Sequence, residues 1–219
     1  LIYFPHYSPL KSYTIPSGTL SIADGAFYRT RNLQQITIPD SITAIGADTF
    51  AFCQSLTNIT IPDGITSIAF SAFSDCSALT SFVIPDSVTS IEAYAFDCCT
   101  ALTNIVIPES VTCIEYSAFR SCESLTSVTI PASVADMGYG IFENCPNLTL
   151  TVTPGSYAEQ YAIDNNIPYV YATEATPAPD ADEGESAPAD AFWTCTCGSL
   201  NDYNFCPNCG AARPVVEPT

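Results

Sequence analysis

Apolar residues recur along this chain at a fixed interval, and the interval predicts the fold. Within one unit, Leu56, Ile59 and Ile61 have the spacing of a short strand whose alternate side chains face inward, and Pro62 ends that strand. Three columns of apolar residues keep the same 23-residue register through the chain. They are Pro16, Pro39, Pro62, Pro85, Pro108, Pro131 and Pro154; Phe27, Phe50, Phe73, Phe96, Phe119 and Phe142; and Leu33, Leu56, Leu79, Leu102, Leu125 and Leu148.

The rest of each unit predicts two further elements. Ile65 and Ile68, three residues apart, indicate a second short extended segment. The run from Ala72 to Cys76, of the form A-F-x-x-C, predicts a single helical turn that leads to the next leucine. A unit this short cannot bury its own apolar side chains, so each must cover its neighbour. The sequence therefore predicts an α/β repeat solenoid of 23-residue units, each with short strands and a helical turn.

Composition and charge narrow the classes of function. The chain is 47% apolar, as in a globular protein, but 23 acidic residues face five basic ones, for a net charge of -18. Such a charge repels phosphate backbones, so we expect no nucleic-acid partner. No run approaches the ~18 consecutive apolar residues of a transmembrane helix. Because the chain begins with Leu1 instead of Met, we expect further residues to precede it in the full protein.

The cysteines fall into a repeat group and a C-terminal group. Five of the repeat cysteines keep the 23-residue spacing, while Cys98 and Cys113 lie off it. This column could supply disulfides or a reactive thiol, or it could be a row of buried small apolar residues. Stacked units would place the side chains in parallel, which is poor disulfide geometry, so the sequence favours buried free thiols. The column is Cys53, Cys76, Cys99, Cys122 and Cys145.

Changes of composition predict the domain boundaries. Residues 172–192 contain many acids, alanines and prolines and almost no large apolar residue, so we expect an extended acidic linker there. The predicted order is an N-terminal flank or cap at 1–12, the solenoid at 13–152, a C-terminal cap at 153–171, the linker at 172–192 and a small module at 193–214.

The C-terminal module carries four closely spaced cysteines, Cys195, Cys197, Cys206 and Cys209. A segment this short cannot fold on a hydrophobic core alone, and four thiolates suit a closed, tetrahedral structural Zn²⁺ site. A redox dithiol or a tail without metal are the alternatives. A catalytic zinc is not expected, because four cysteine ligands leave no open coordination position.

The repeat units resemble the BspA-like leucine-rich repeats of bacterial surface proteins, over about residues 13–152. Residues 155–170 resemble the helix and final strand with which such arrays end. The C-terminal module resembles short bacterial zinc ribbons, although Cys195 and Cys197 are closer together than in the usual C-x-x-C pair. The resemblance implies a leucine-rich-repeat solenoid that binds other macromolecules, with a metal-binding zinc ribbon.

No catalytic arrangement can be assembled from the sequence, since the single histidine, His6, lies in a flank. We therefore predict that the protein is not an enzyme. By strand alternation, small uncharged residues form two outward rows that could contact a partner, although a plain solvated strand face would show the same pattern. The candidate binding residues are Asn58, Thr60, Ser81, Val83, Asn104, Val106, Ser127 and Thr129.

Two further rows could contact ligands. The acids that follow the prolines could bind a cation, although residues of turns explain them equally well. Phe70, Tyr116 and Tyr139 share another column and could anchor a partner or simply cover the convex side. The acidic row is Asp40, Asp63, Asp86 and Glu109.

Two functions are consistent with these features. The first is an adhesin-like cell-surface or secreted protein of bacteria that engages protein or glycan partners through the solenoid. The second is an intracellular scaffold, in which the solenoid holds one partner in a protein–protein interaction and the tethered zinc ribbon holds another. We expect the surface location, and a cytoplasmic one is the alternative.

Overall fold

The repeats form a parallel β-solenoid of about seven turns. The computed structural model describes residues 8–172 and, beyond them, the backbone of residues 193–194 and 200–201. The chain divides into two compact units, residues 1–173 and residues 174–219. The predicted solenoid is thus confirmed as a stack of short parallel strands.

The first strand of each unit contributes to a ladder along one side of the solenoid, which we call the first ladder. Its strands pair in parallel in two sheets, of three strands and of four. Residues 81–84 belong to neither sheet, and the first ladder is therefore interrupted in the middle. The strands are β1 (Ser12–Thr14), β3 (Gln35–Thr37), β5 (Asn58–Ile59), β8 (Asn104–Val106), β10 (Ser127–Ile130), β12 (Thr149–Val152) and β13 (Tyr169–Tyr171).

The second extended segment of each unit forms the second ladder, along a different side. Each of its strands has two residues, and the inward one is buried. This ladder also has one break, between β4 and β6. Its strands are β2 (Ser21–Ile22), β4 (Ala44–Ile45), β6 (Ser67–Ile68), β7 (Ser90–Ile91), β9 (Cys113–Ile114) and β11 (Asp136–Met137).

The strand register follows the sequence period until the last turn. Gln35 lies opposite Asn58, 23 residues on, as the period predicts. Between β10 and β12 the offset is 22, since Val128 lies opposite Leu150. The last turn therefore has one residue fewer before its strand, β12, than the earlier turns have before theirs. Pro131 follows the end of β10 directly, whereas Thr153 lies between the end of β12 and Pro154.

The third side of the solenoid is built from hydrogen-bonded turns, and the predicted helical turn is not confirmed. In the unit of Phe73, the residues Ser71 and Asp75 have φ values of 51° and 57°, in the left-handed region that a right-handed helical turn excludes. The amide of Phe73 donates to the carbonyl of Ala95 in the next unit, at 2.9 Å, instead of to a carbonyl one helical turn back. The turns therefore extend the stack by bonds between units.

A column of phenylalanines fills the core behind these turns. Consecutive rings from Phe27 to Phe142 have centroids 5.1–5.7 Å apart and planes within 14° of parallel. Burying one such side chain stabilises a protein by about 1.5–3 kcal/mol, so the column is a major source of stability. Because each ring contacts the ring before and after it, the units depend on one another for burial.

A helix covers the last turn. Helix α1 (Tyr157–Asp164) begins at Ser156, whose hydroxyl accepts a hydrogen bond from the Glu159 amide, as an N-cap does. Its Tyr161 ring meets Phe142, the last of the phenylalanine column, edge to face at 6.3 Å. Strand β13 then pairs with β12. Helix and strand together shield the end of the core from solvent.

In the second compact unit, the structure describes two strands, β14 (Trp193–Thr194) and β15 (Leu200–Asn201). They pair antiparallel, with Trp193 opposite Asn201. The predicted zinc ligands Cys195, Cys197, Cys206 and Cys209 lie outside the described residues.

Candidate functional site

The predicted binding residues lie on the outward face of the first ladder. Between them, the inward side chains of the same segments, such as Ile59 and Ile105, are buried. Among the candidates, Val83 and Val106 are 80% and 63% exposed, while Ser127 and Thr129 are half-buried. The face is uncharged and carries an apolar contribution from two exposed valines.

The structure brings four of the eight candidates into one groove. Asn58, Thr60, Ser81 and Val83 line it together with Asp63, and its volume is about 370 Å³. The other four candidates lie farther along the face, in strands β8 and β10, where Asn104 lies opposite Ser127 and Val106 opposite Thr129. We call the first set, with Asp63, the strand-face groove.

The groove coincides with the break in the first ladder. In the described part of the chain, no strand pairing connects residues 81–84 with β5 or with β8. Backbone donors and acceptors that pair elsewhere along the face are thus without strand partners at the groove.

One inward residue at the break differs from its counterparts in the neighbouring units. Phe82 occupies the inward position that Ile59 and Ile105 occupy in the neighbouring units. Its ring centroid lies 4.9 Å from that of Phe73 and 4.8 Å from that of Phe96, and the side chain is only 6% exposed. Because a phenyl ring is bulkier than an isoleucine side chain, we attribute the break to Phe82, an assignment that substitution by isoleucine tests.

The seven repeat cysteines are free, and in the column Cys53, Cys76, Cys99 and Cys122 are buried, as the sequence favours, while Cys145 is half-buried. Each thiol of the column donates to the carbonyl of the phenylalanine 26 residues earlier, at 3.2 Å in all five cases. Burial raises the pKa of the Cys53 thiol to about 12 and that of Cys145 to about 11. These thiols are structural hydrogen-bond donors and poor nucleophiles at neutral pH.

The exposed aromatic residues Phe70, Tyr116 and Tyr139 lie on the third side of the solenoid, which is built from turns and which we call the turn side. The Tyr94 ring meets Phe70 at 5.8 Å and Tyr116 at 5.1 Å, edge to face in both contacts. The sequence pattern does not single out Tyr94, because it belongs to a different column from Phe70, Tyr116 and Tyr139. Tyr139 is the most exposed of the group, at 83%.

Arg120 ties two units together beside this aromatic group. It donates two hydrogen bonds of 2.9 Å to the Asp97 carboxylate, and its guanidinium carbon lies 5.4 Å from the centre of the Tyr94 ring. Arg29 is placed similarly, 5.1 Å from the ring centre of Tyr28 and 5.2 Å from that of Phe52. The turn side thus holds guanidinium groups against aromatic rings at two places.

The acidic row does not form a metal centre within residues 8–172. Asp40, Asp63, Asp86 and Glu109 are all exposed. In this part of the chain, no three His, Cys, Asp or Glu side chains come together in a group that could hold a metal ion.

Comparison with known proteins identifies the repeats. The model of the family described as "BspA type Leucine rich repeat region (6 copies)" matches residues 20–149. The chain belongs to the BspA-type leucine-rich repeat family. The family includes surface proteins of bacteria, and leucine-rich repeat solenoids generally serve as binding scaffolds. A search of curated proteins found no matching sequence.

Three solved structures are similar to this BspA-type chain. A leucine-rich cell surface protein from Faecalibacterium prausnitzii is 31% identical with a TM-score of 0.57, and the match covers 74% of this chain and 37% of that protein. A leucine-rich repeat protein from Bacteroides ovatus is 35% identical with a TM-score of 0.62, and the match covers 64% of this chain and 39% of that protein. The T. pallidum leucine-rich repeat protein is 32% identical with a TM-score of 0.63, and the match covers 69% of this chain and 71% of that protein. The BspA-type chain therefore spans well under half the length of the first two proteins.

The described part of the BspA-type chain holds no helix with the length and apolar character needed to cross a membrane.

Proposed function

We propose that the BspA-type solenoid is a non-enzymatic binding module of a bacterial surface protein, and that it engages a protein partner through the strand-face groove. The observation that carries the proposal is the break in the first ladder at residues 81–84. Elsewhere on this face the strands pair with each other, whereas residues 81–84 make no strand pairing with either neighbour. The groove is thus the place where the face differs from a plain solvated strand face.

The chemistry of the groove suits an extended protein segment. An extended segment of a partner would lie across the outward face and meet the groove through side-chain contacts, because the neighbouring turns keep the 5.4–5.5 Å ring spacing of the stack and leave no room for an added strand. The exposed Val83 side chain offers an apolar contact, and the hydroxyl and amide groups of Asn58, Thr60 and Ser81 offer polar ones. The one aromatic residue that lines the groove, Phe82, is only 6% exposed and packs inward, so it offers little ring face on which a sugar could stack.

A paired substitution tests the assignment. The immobilised full chain is screened against arrays of bacterial and host proteins and of glycans, as wild type, Val83→Asp and Val106→Asp. Both valines are exposed and lie in the same row, so both variants introduce the same charge without disturbing the core. We expect V83D to abolish binding of a protein ligand and V106D to retain most of it. A ligand that binds V83D as well as wild type contradicts the groove, and ligands that are all glycans contradict the protein partner.

We further propose that the C-terminal module binds a structural Zn²⁺ through Cys195, Cys197, Cys206 and Cys209. The support is chemical: four thiolates within a segment too small to form its own core. Metal analysis of the full chain is expected to give one zinc per chain, and Cys206→Ser is expected to lose it. The matched control is Cys113→Ser, a half-exposed repeat cysteine, which is expected to keep the zinc. Equal zinc in wild type and C206S contradicts the ligand assignment.

Location at the bacterial surface is part of the proposal, and it is supported by the similarity to a cell-surface protein of Faecalibacterium. The intracellular scaffold draws on the reduced thiols of the repeats, but these thiols bond to carbonyls of the stack and would do so in any compartment. Treating intact cells of the native bacterium with protease decides between the two. Loss of the solenoid, detected with an antibody, is expected, and full protection contradicts the surface location.

A further inference from the structure

A second cavity lies on the turn side of the solenoid, at its junction with the terminal cap. It has a volume of about 170 Å³ and is formed by the last turn and by the end of helix α1. Its main lining residues are Tyr139, Phe142, Glu143, Tyr161 and Asn165. We call it the cap pocket. It belongs to a different side of the solenoid from the strand-face groove.

The cap pocket has an apolar floor and polar walls. The Phe142 and Tyr161 side chains are 6% and 8% exposed, and the Tyr161 hydroxyl is fixed because it accepts a hydrogen bond from the Ile141 amide at 3.1 Å. The Tyr139 ring, 83% exposed, stands at the edge. One wall is thus an accessible aromatic face above a rigid base.

The polar walls are acceptors. The Glu143 carboxylate lies over the backbone of Gly140, with Oε2 3.6 Å from the position that a β-carbon would take there. Within residues 8–172, Glu143 takes part in no ion pair. The amide nitrogen of Asn165 donates to the Tyr161 carbonyl at 2.8 Å, which leaves its carbonyl oxygen as an acceptor. A planar cation with several donors satisfies both acceptors at once.

The same side of the solenoid shows how such a cation is held. Arg120 lies against the Tyr94 ring and bonds to the Asp97 carboxylate. Glu143 stands 23 residues after Arg120, in the same column. The position that corresponds to Tyr94 is Gly140 there, and the exposed ring of the pocket is Tyr139, from the neighbouring column. The cap pocket thus offers a carboxylate and an aromatic ring, in a different arrangement from Asp97 and Tyr94.

We propose that the cap pocket binds an arginine side chain of a basic partner protein. The guanidinium lies against the Tyr139 ring, pairs with the Glu143 carboxylate and donates to Asn165. Charge complementarity supports this occupant, since the chain carries 23 acidic residues and only five basic ones. Arginine is preferred to lysine because its planar group both stacks on a ring and donates to two acceptors.

Chemical-shift mapping on the ¹⁵N-labelled full chain tests the assignment. The probes are three blocked tripeptides, Gly-Arg-Gly, Gly-Lys-Gly and Gly-citrulline-Gly; citrulline keeps the shape of arginine and removes its charge. We expect the arginine peptide to shift the amides of residues 139–143 and 165, the lysine peptide to bind several-fold more weakly and the citrulline peptide not to bind. Equal binding of arginine and citrulline, or shifts confined to other residues, overturns the proposal.

Matched variants locate the contacts. Glu143→Gln and Tyr139→Leu are each expected to weaken the arginine peptide by roughly three- to tenfold. The controls Glu109→Gln and Tyr116→Leu remove the same groups elsewhere and are expected to bind as wild type does. All four residues are exposed, so we expect the variants to fold normally. Amide spectra that match wild type away from the substituted residue would verify this. Unaltered affinity in both E143Q and Y139L overturns the site.

Two further variants serve as controls. One separates the cap pocket from the strand-face groove, and the other separates binding of a partner's arginine from binding of the chain's own arginine. Val83→Asp, in the strand-face groove, is expected to bind the arginine peptide normally, so the two sites fail or succeed independently. Arg213→Gln removes the arginine of the C-terminal segment and is expected to have no effect. A rise in peptide affinity in R213Q would show that the chain's own arginine fills the cap pocket and would overturn the partner.

Discussion

The thiol of Cys76 donates to the carbonyl of Phe50, 26 residues earlier and one turn below it in the stack, at 3.2 Å. The same carbonyl accepts a hydrogen bond from the Cys53 amide within its own unit, at 3.1 Å. One carbonyl oxygen thus closes a turn and binds the next unit to it. The cysteine column is therefore part of the stacking interaction and more than a filler of small volume.

Removing one of these thiols should weaken the stack. Cys99 is fully buried and donates to the Phe73 carbonyl at 3.2 Å. Cys99→Ala leaves a small cavity and a lost donor, and we expect it to lower the free energy of unfolding by about 1–2 kcal/mol in urea titrations. Cys113→Ala, at a half-exposed position off the column, serves as the control and should change it by less than about 0.5 kcal/mol. Equal effects of the two substitutions would contradict a special role of the column.

Alkaline pH should destabilise the solenoid through the same thiols. Burial raises the pKa of Cys53 to about 12, so the folded state keeps protons that the unfolded state releases above pH ~9. The stabilisation that the protonated Cys53 thiol provides is complete below the pKa of this thiol in the unfolded state. It declines as the pH rises towards the pKa in the folded state. Between pH 9 and 12 the Cys53 thiol should contribute a loss of about 1.4 kcal/mol in the free energy of unfolding per pH unit.

Cys53→Ala provides the measurement of that pH dependence. Urea titrations of wild type and C53A at several pH values should show that the free energy of unfolding declines less steeply with pH in the variant. The difference between the two slopes is the contribution of one thiol. Parallel curves for the two proteins would show that Cys53 titrates normally in the folded state.

The pair of Arg120 and Asp97 should contribute to stability across one unit boundary. The Asp97 side chain is 9% exposed and its carboxylate receives both hydrogen bonds from Arg120. Arg120→Gln leaves this carboxylate without its cation, and we expect a loss of roughly 2–3 kcal/mol in urea unfolding. Arg31→Gln removes an exposed arginine and should be nearly neutral. A neutral effect of R120Q would mean that water replaces the arginine without penalty.

Phe82 should decide whether the first ladder is continuous. Phe82→Ile restores the residue type of the neighbouring units, and we expect residues 81–84 to pair with the adjacent strands. Hydrogen exchange should then slow for the amides of residues 57–60 and 81–84 relative to wild type. Phe96→Ile, in the phenylalanine column, is the control and should accelerate exchange because it opens the core. Unchanged exchange in F82I would contradict the assigned cause of the break.

The sequence predicts the buried columns because they depend on a period that every unit repeats. It predicts the strands for the same reason, since Leu56, Ile59 and Ile61 point inward wherever the unit occurs. It does not predict the turn conformation, because the amide of Phe73 bonds to a residue 22 positions later and no local pattern encodes that bond. A short A-F-x-x-C segment by itself is equally compatible with a helical turn.

The candidate site was predictable as a face but not as a groove. Alternation places Asn58 and Val83 outward, and the structure agrees. The groove depends on the size of one inward residue, Phe82, relative to the rings of Phe73 and Phe96, and such packing is not visible in an apolar pattern. The cap pocket combines the last turn with helix α1, so it too depends on contacts between distant segments.

If the break at Phe82 creates the binding site, peptides selected on the wild-type chain should require that break. Peptides are selected from a displayed library on the wild-type full chain, and their dissociation constants are measured for wild type, Phe82→Ile and Val106→Asp. We expect groove-binding peptides to lose at least about tenfold in affinity for F82I, in which the strands close, and to keep their affinity for V106D. Peptides that bind F82I as tightly as wild type would contradict this expectation.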